Sequence, residues 1–254
     1  MFTLHNGDCL PYMKSLQDKA FDVSFTSPPY NRKRNDKYSN YTDQVEDYYG
    51  WMCDVIDELL RLTKRHVFFN IQPNYYNRQD VNRIFGKYYD RIVENIIWEK
   101  DNPMPASGFN ITNAVEYFIV FGDEPLRSNR TYTKNTVHSP VNSKMPKNHK
   151  AVMHQAVADY FHATFMKKGD KVFDCFTGLG TTGKSCVRYG MEFTGCELDE
   201  EYYSIAKREI EGEISLRLLT PLALDGGDSA AQQALFTPEV LSTLQGESTP
   251  APRQ

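Results

Sequence analysis

The stretch Val172-Phe173-Asp174-Cys175-Phe176-Thr177-Gly178-Leu179-Gly180-Thr181-Thr182-Gly183 decides the fold. An apolar run ends in an acid, a glycine turn follows, and a helical pattern begins near Thr181. Gly178 and Gly180 let the backbone turn tightly and approach a ligand. Amides at the helix start, around Thr181 and Thr182, can hold an anion such as a carboxylate or a phosphate. The next strand, Phe193-Thr194-Gly195-Cys196, ends in Glu197. An acid there can accept hydrogen bonds from both hydroxyls of a ribose.

Taken literally, Gly178-x-Gly180-x-x-Gly183 with Glu197 downstream also fits a dinucleotide fingerprint. The position of the motif argues against that. One helix-strand-helix unit follows it, with no room for a second nucleotide-binding half. Asp170, Asp174 and Glu197 also make a pyrophosphate less welcome than a cationic ligand. S-adenosylmethionine combines a sulfonium, an amino group, a carboxylate and a ribose, and suits this set better.

Outward from the loop, short apolar runs alternate with helical patterns, as in a parallel sheet covered by helices. Strands are expected at 21–26, 66–71, 92–98, 115–121, 171–174 and 192–196. Helices are expected at 46–62, 78–87, 151–165, 181–189 and 199–211. From 213 to 254 a single aromatic, Phe236, stands among Ala, Ser, Thr, Gln, Pro and Leu, which predicts a flexible tail. Thr237-Pro238-Glu239 is a helix-start signal inside it.

Thr26-Ser27-Pro28-Pro29-Tyr30 closes the strand at 21–26. Two prolines fix a rigid, extended turn. Ser27 offers a hydroxyl acceptor, Pro28 a carbonyl, Pro29 stiffness and Tyr30 a flat face. Such a cradle suits a planar exocyclic amine, whose lone pair is delocalised into its ring. Two acceptors on its N–H groups draw the nitrogen towards tetrahedral geometry and free that lone pair.

Together, Thr-Ser-Pro-Pro-Tyr and Asp-x-Phe-x-Gly-x-Gly strongly resemble the DNA amino-methyltransferases, which methylate N4 of cytosine or N6 of adenine. The catalytic motif comes first and the cofactor loop last, an order that resembles their β group. The resemblance runs from about residue 4 to 211. It implies an α/β fold: a single Rossmann-like class I methyltransferase domain with a mostly parallel, circularly permuted sheet. The domain would span 1–212, with a catalytic half at 1–122, a basic loop at 123–150 and a cofactor half at 151–212.

By resemblance, Asn6-Gly7-Asp8-Cys9 is the adenine-side cofactor motif, which implies that Asp8 holds the adenine. Asp174, Phe176, Gly178, Gly180 and Glu197 match the cofactor loop and the ribose acid. Ile97-Trp98-Glu99-Lys100-Asp101-Asn102-Pro103-Met104-Pro105 and Asn113-Ala114-x-Glu116 look like the segment around the target base. One departure stands out. The segment before the cofactor helix usually carries prolines around a His and a Lys, whereas this chain has Lys147-Asn148-His149-Lys150-Ala151-Val152-Met153-His154. His149 matches the start of that pattern only. A flipped base would stack on Tyr30 and bond to Ser27 and the Pro28 carbonyl, and its nitrogen would attack the sulfonium methyl directly. Relatives with Ser at the first motif position tend to be cytosine-N4 enzymes and those with Asp adenine-N6 enzymes, so Ser27 favours cytosine N4.

Composition narrows the class further. The 254 residues carry 29 Lys+Arg against 33 Asp+Glu, with 40% hydrophobic residues. That suits one large α/β domain. The acidity is uneven: residues 199–254 hold 10 acids and 4 bases, which leaves 25 bases and 23 acids in 1–198. Arg32, Lys33, Arg34 and Lys37 follow the catalytic turn, with Tyr38 and Tyr41 close behind as stacking candidates. Arg127, Arg130, Lys134, Lys144, Lys147 and Lys150 fill an acid-free stretch at 126–150. Both flank the proposed site in sequence and are candidate contacts to double-stranded DNA with a short target site. A second copy of the chain is a candidate partner for clamping the duplex. The five cysteines form no C-x-x-C pair, and the six histidines and five cysteines show no metal-ligand spacing. No stretch is apolar enough to span a membrane, and the N-terminus lacks a signal-peptide pattern. The expected setting is the cytoplasm of a prokaryote, or a phage gene. None of the 13 prolines precedes a cysteine, which argues against the covalent chemistry of cytosine-C5 methylation. Protein-glutamine methylation uses a similar cradle but normally begins it with Asn. A catalytically dead DNA-binding relative would have no need of the cofactor loop.

Overall fold

The computed structural model describes residues 1–31, 45–103, 112–140 and 152–219. Eight strands form one sheet: β1 (Phe2–Asn6), β2 (Phe21–Thr26), β3 (Thr63–Ile71), β4 (Ile92–Lys100), β5 (Val115–Gly122), β6 (Thr136–Ser139), β7 (Lys171–Asp174) and β8 (Glu192–Glu197). Six helices alternate with them: α1 (Cys9–Ser15), α2 (Tyr48–Leu62), α3 (Arg78–Lys87), α4 (Gln155–Phe165), α5 (Thr181–Arg188) and α6 (Glu200–Leu219). Residues Met1–Ser215 form one compact unit.

The sheet order is β1-β8-β7-β2-β3-β5-β4-β6. The first five strands run parallel, and β5 runs antiparallel to both β3 and β4. The sheet is therefore mixed, with its parallel part holding the glycine loop. From β7 the chain moves through α5 to β8 on one side. From β2 it moves through α2 to β3 on the other. The seam between β7 and β2 is thus a topological switch point, where the carboxyl ends of the strands open a crevice for a ligand.

Alternation along the strands builds two cores. Val67, Phe69 and Ile71 of β3 join Ile119 and Phe121 of β5 on one face. Phe68, Phe118 and Val120 join Phe25 of β2 and Phe161 of α4 on the other. The Phe118 and Phe161 rings lie 4.1 Å apart. Burying each such ring contributes about 1.5–3 kcal/mol.

Several elements differ from the expectation. β1, α1 and β6 were absent from the sequence reading. Helix α4 begins at Gln155, because His154 caps it in an extended conformation and Nδ1 accepts from the Ala156 N–H. Helix α6 continues to Leu219, past the expected tail boundary at 213. The rest of the tail, with Thr237-Pro238-Glu239, lies outside the described residues. No helix among the described residues is long and apolar enough to cross a membrane.

Candidate active site

Five adjacent parallel strands bring their carboxyl ends to one edge. In spatial order these ends carry Asp8 just after β1, Glu197 on β8, Asp174 on β7, Ser27 just after β2, and Asn70 near the end of β3. Asn6 and Glu197, 191 positions apart in sequence, are hydrogen-bonded at this edge.

Asp174 is the hub. Its Oδ1 accepts from the Thr26 hydroxyl at 2.7 Å and from the Phe176 N–H at 3.0 Å. Its Oδ2 accepts from the Thr182 hydroxyl at 2.6 Å. Burial pushes the Asp174 carboxyl above its ordinary range, against the pull of these three donors. The Thr26 bond joins the end of the cofactor strand directly to the start of the Ser-Pro-Pro-Tyr turn. In the loop itself, Gly178 and Gly180 adopt positive φ of 54° and 86°. Gly180 is the N-cap of α5 and supplies no side chain to cap it, so the first-turn amides face the crevice side without a side-chain acceptor from that position. A Cβ on Gly180 would lie 3.1 Å from the Ala206 carbonyl oxygen.

Glu197 accepts the Gly178 N–H on Oε2 at 2.8 Å and the Asp199 N–H on Oε1 at 2.9 Å. An ionised carboxylate has about four acceptor sites, so about one on each oxygen remains for a ribose hydroxyl. Desolvation raises its pKa to about 7, with the two amides pulling the other way. Next to it, Asn6 and Gly7 bond to the Glu197 carbonyl, each at 2.9 Å. This brings exposed Asp8 beside the ribose position, where it also caps α1 through the Leu10 N–H. Cys9 is buried in the core, and its thiol neighbours Cys175. Phe176 packs edge-on to Trp51 with centroids 5.7 Å apart. These residues fit a nucleoside cofactor with a ribose and an anionic end. Asp170, grouped with them in the sequence reading, sits instead at the amino end of β7, paired with Arg65.

The catalytic turn is pinned from three sides. Tyr48 donates its hydroxyl to the Pro29 carbonyl at 2.8 Å. Asn74 and Asn77 donate their side-chain amides to the Tyr30 carbonyl at 2.7 and 2.8 Å. Asn31, at φ +50°, brackets Val45 through both its side-chain atoms. Pro28 is buried and Pro29 half-buried. The Ser27 hydroxyl donates to Asn70 Oδ1 at 2.9 Å. That bond takes up the serine proton, and with the Tyr30 hydroxyl 3.0 Å from the same Oγ a lone pair still remains for an incoming N–H. Tyr30 is only 7% exposed. Its hydroxyl lies 2.5 Å from Asn70 Oδ1 and 2.8 Å from Glu116 Oε2, so one proton serves two acceptors. Glu116 is in turn neutralised by Lys100, with Nζ 2.5 Å from Oε1. The Tyr30 ring belongs to the first core cluster and offers little open face to a base in this state.

The sequence reading missed Asn70, Asn74, Asn77 and Tyr48. Asn70 had a signal: a polar residue in the apolar run from His66 to Ile71, fully buried in the structure.

The expected DNA contacts divide. Arg32, Lys33, Arg34, Lys37, Lys144, Lys147 and Lys150 lie outside the described residues, as do Tyr38, Tyr41 and His149. Arg127 and Arg130 lie at the edge of the sheet opposite the crevice. β5 runs antiparallel to β3, so the chain leaves it at the amino edge of the parallel strands. There Asn129 ties the loop to the end of α4, through the Thr164 and Met166 carbonyls at 2.7 Å each. The Arg130 guanidinium sits 5.2 Å from the Tyr160 ring centroid. Lys134 lies beside the start of β6, where its carbonyl meets the Tyr160 hydroxyl at 3.4 Å.

This chain is similar to known proteins. The type II methyltransferase M.MwoI of Methanothermobacter wolfeii is 30% identical over 197 residues, covering 70% of this chain. The chain spans 29% of that relative's length. M.SmaI of Serratia marcescens, also a type II methyltransferase, is 27% identical and matches over 80% of this chain and 89% of its own. Among solved structures, the cytosine-N4-specific PvuII DNA methyltransferase superposes with a TM-score of 0.68 at 17% identity, over 86% of this chain and 93% of its own. The M1.HpyAVI–SAM complex gives a TM-score of 0.61 at 20% identity, over 83% of this chain and 99% of its own. At these identities the structures speak for the fold. The N6/N4 DNA methylase family matches residues 21–208, a span that starts with the strand of the Ser-Pro-Pro-Tyr turn and takes in the Asp174 loop and Glu197. With both halves of the crevice inside that match, the chain belongs to the N6/N4 DNA methylase family.

Proposed function

We propose that this protein transfers a methyl group from S-adenosylmethionine to the exocyclic amine of a flipped base in double-stranded DNA, with cytosine N4 as the preferred acceptor. The observation that carries the reading is the Thr26–Asp174 hydrogen bond of 2.7 Å, which joins the acceptor turn and the cofactor loop at one crevice.

In this reading Glu197 holds the ribose, Asp8 the adenine, and Asp174 the loop of Phe176, Gly178 and Gly180. The α5 amides at Thr181 and Thr182 face the anionic end of the cofactor. Bound S-adenosylmethionine supplies an electrophilic methyl on a sulfonium. Ser27 Oγ and the Pro28 carbonyl accept from the target amine and aim its lone pair at that methyl. Asn70 keeps Ser27 in its acceptor role by taking its proton. Extrusion of the base costs a few kcal/mol of stacking and pairing, offset by contacts in the pocket. Ser27 at the first position of the turn supports cytosine over adenine by resemblance, since relatives with Ser there tend to be cytosine-N4 enzymes.

The test is direct. The protein is incubated with labelled S-adenosylmethionine and unmethylated DNA, and the DNA is digested to nucleosides for mass spectrometry. N4-methylcytosine is the expected product, and N6-methyladenine would reverse the base assignment. No transfer to DNA from protein that binds the cofactor would overturn the function.

A further inference from the structure

A short segment beside the catalytic turn has no part in the chemistry above. Gln72-Pro73-Asn74-Tyr75-Tyr76-Asn77-Arg78-Gln79 leaves the carboxyl end of β3 and enters α3. It carries no acid. Its two asparagines are committed inward, to the Tyr30 carbonyl. Its two tyrosines point the other way: Tyr75 is 63% exposed and Tyr76 51%. Their rings meet edge to face, with centroids 5.3 Å apart and planes at 89°. The Arg78 guanidinium lies 5.4 Å from the Tyr75 centroid and is itself exposed. From the other side, Asn113 donates to the Pro73 carbonyl, tying the segment to the start of β5.

Two largely exposed aromatic rings with a cation over one of them, bolted to the backbone of the acceptor turn, suit a ligand with flat faces and negative charge. A nucleic-acid strand whose bases have been unstacked has both. The described arginines of the basic loop, Arg127 and Arg130, sit at the opposite edge of the sheet, so they do not supply this contact.

We propose that Tyr75, Tyr76 and Arg78 form a DNA-contact element at the mouth of the active site. The tyrosines stack on bases opened around the flipped nucleotide, and Arg78 meets a phosphate. The inference rests on the DNA-methylation reading. Asn74 and Asn77 make the element more than a surface patch. Strand binding on the tyrosines bears on the Tyr30 carbonyl through the same six-residue loop, so the acceptor turn is braced when DNA is present.

The test measures KM for unmethylated DNA and KM for S-adenosylmethionine separately in each variant. The Tyr75→Ala/Tyr76→Ala double variant is expected to raise the KM for DNA roughly tenfold or more, with the cofactor KM unchanged. Tyr75→Phe/Tyr76→Phe keeps the rings and is expected to behave like the wild type. Tyr89→Ala removes a tyrosine that is more exposed, at 76%, but lies in the α3–β4 turn at the amino edge, and is expected to change neither constant. Arg78→Gln is expected to lower the salt slope of DNA binding by about one. An unchanged DNA KM in the double alanine variant would overturn the inference while leaving the function intact. So would an equal rise in Tyr89→Ala, or a loss in the phenylalanine variant equal to that in the alanine one. A wild-type protein that methylates no DNA would overturn both.

Discussion

Glu197→Gln is expected to weaken cofactor binding about 30-fold and to remove its dependence on pH. In the wild type each carboxylate oxygen already accepts one backbone N–H, from Gly178 and Asp199. A glutamine has one acceptor oxygen. Its NH2 group must therefore face one of those two amides donor to donor, and one ribose hydroxyl loses its acceptor. Losing a hydrogen bond to a charged group costs about 1.5–3 kcal/mol. At about 1.4 kcal/mol per decade that is roughly 10- to 150-fold in Kd. The pH dependence follows from the raised pKa of about 7, against 4.5 for an unburied glutamate. Between those values the free folded protein holds a proton that the unfolded chain has released. Its stability therefore falls as pH rises through this window, by on the order of 3–4 kcal/mol at most, and levels off above it. Cofactor binding runs the opposite way, because ribose hydroxyls donate to the ionised form. Affinity should climb by up to about tenfold per pH unit towards pH 7 and then flatten. Calorimetric titration with S-adenosylhomocysteine from about pH 5.5 to 8.5 reads this directly, with melting curves to establish that the variant is folded. A wild-type Kd that stays flat across that range, or a folded Glu197→Gln variant that binds within about twofold of wild type, would refute the ribose role.

Other substitutions separate the two halves of the crevice. Ser27→Ala should lower kcat by about a hundredfold while leaving cofactor Kd unchanged, and equal loss of both in binding and single-turnover assays would contradict the division of roles. Asp174→Ala should do the reverse. It also orphans the Thr26 and Thr182 hydroxyls, each at a cost of about 1–3 kcal/mol in urea unfolding. Lys100→Met leaves Glu116 buried without its cation and should destabilise the fold by about 3–5 kcal/mol. Glu116→Gln/Lys100→Met removes both charges and should recover part of that loss in the same unfolding assay. Gly180→Ala forces a side chain onto a φ of +86° and against the Ala206 carbonyl. It should cost about 1–3 kcal/mol and slow cofactor binding more than DNA binding.

Much of the site was readable because its motifs are local. Asp174 through Thr182 and Thr26 through Tyr30 each form a continuous run whose glycines and prolines dictate backbone shape. The strand at Phe21–Thr26 was likewise bounded by its prolines, and the structure ends it at Thr26. What escaped was non-local. Strand β1 pairs with β8, nearly the whole domain away in sequence, and parallel pairing leaves no turn signal between partners. Strand β6 has four residues, too few for a period to register. Asn74 and Asn77 look like ordinary loop asparagines until the fold brings Tyr30 against them. The placement of Arg127 and Arg130 escaped for the complementary reason. They follow the catalytic half in sequence, but one antiparallel strand carries the chain across the full height of the sheet before they appear.

The pairing of β1 with β8 has a consequence for synthesis. Strand β1 is translated before the other described strands, yet its neighbour among them spans Glu192–Glu197. At about 5–20 residues per second, that partner is translated roughly 10–40 s later. Strand β7, the other flank of the acceptor turn, is nearly as late. Through that interval both Phe2–Asn6 and the open side of β2 are unpaired strand edges, the kind of surface that recruits other chains. A nascent chain stalled before residue 171 therefore carries the Ser-Pro-Pro-Tyr turn with its pins from Tyr48, Asn74 and Asn77 but without the Asp174 carboxylate that holds Thr26. Aggregation on slow expression, and its relief by faster elongation or by chaperones, should be most sensitive to what covers those two edges.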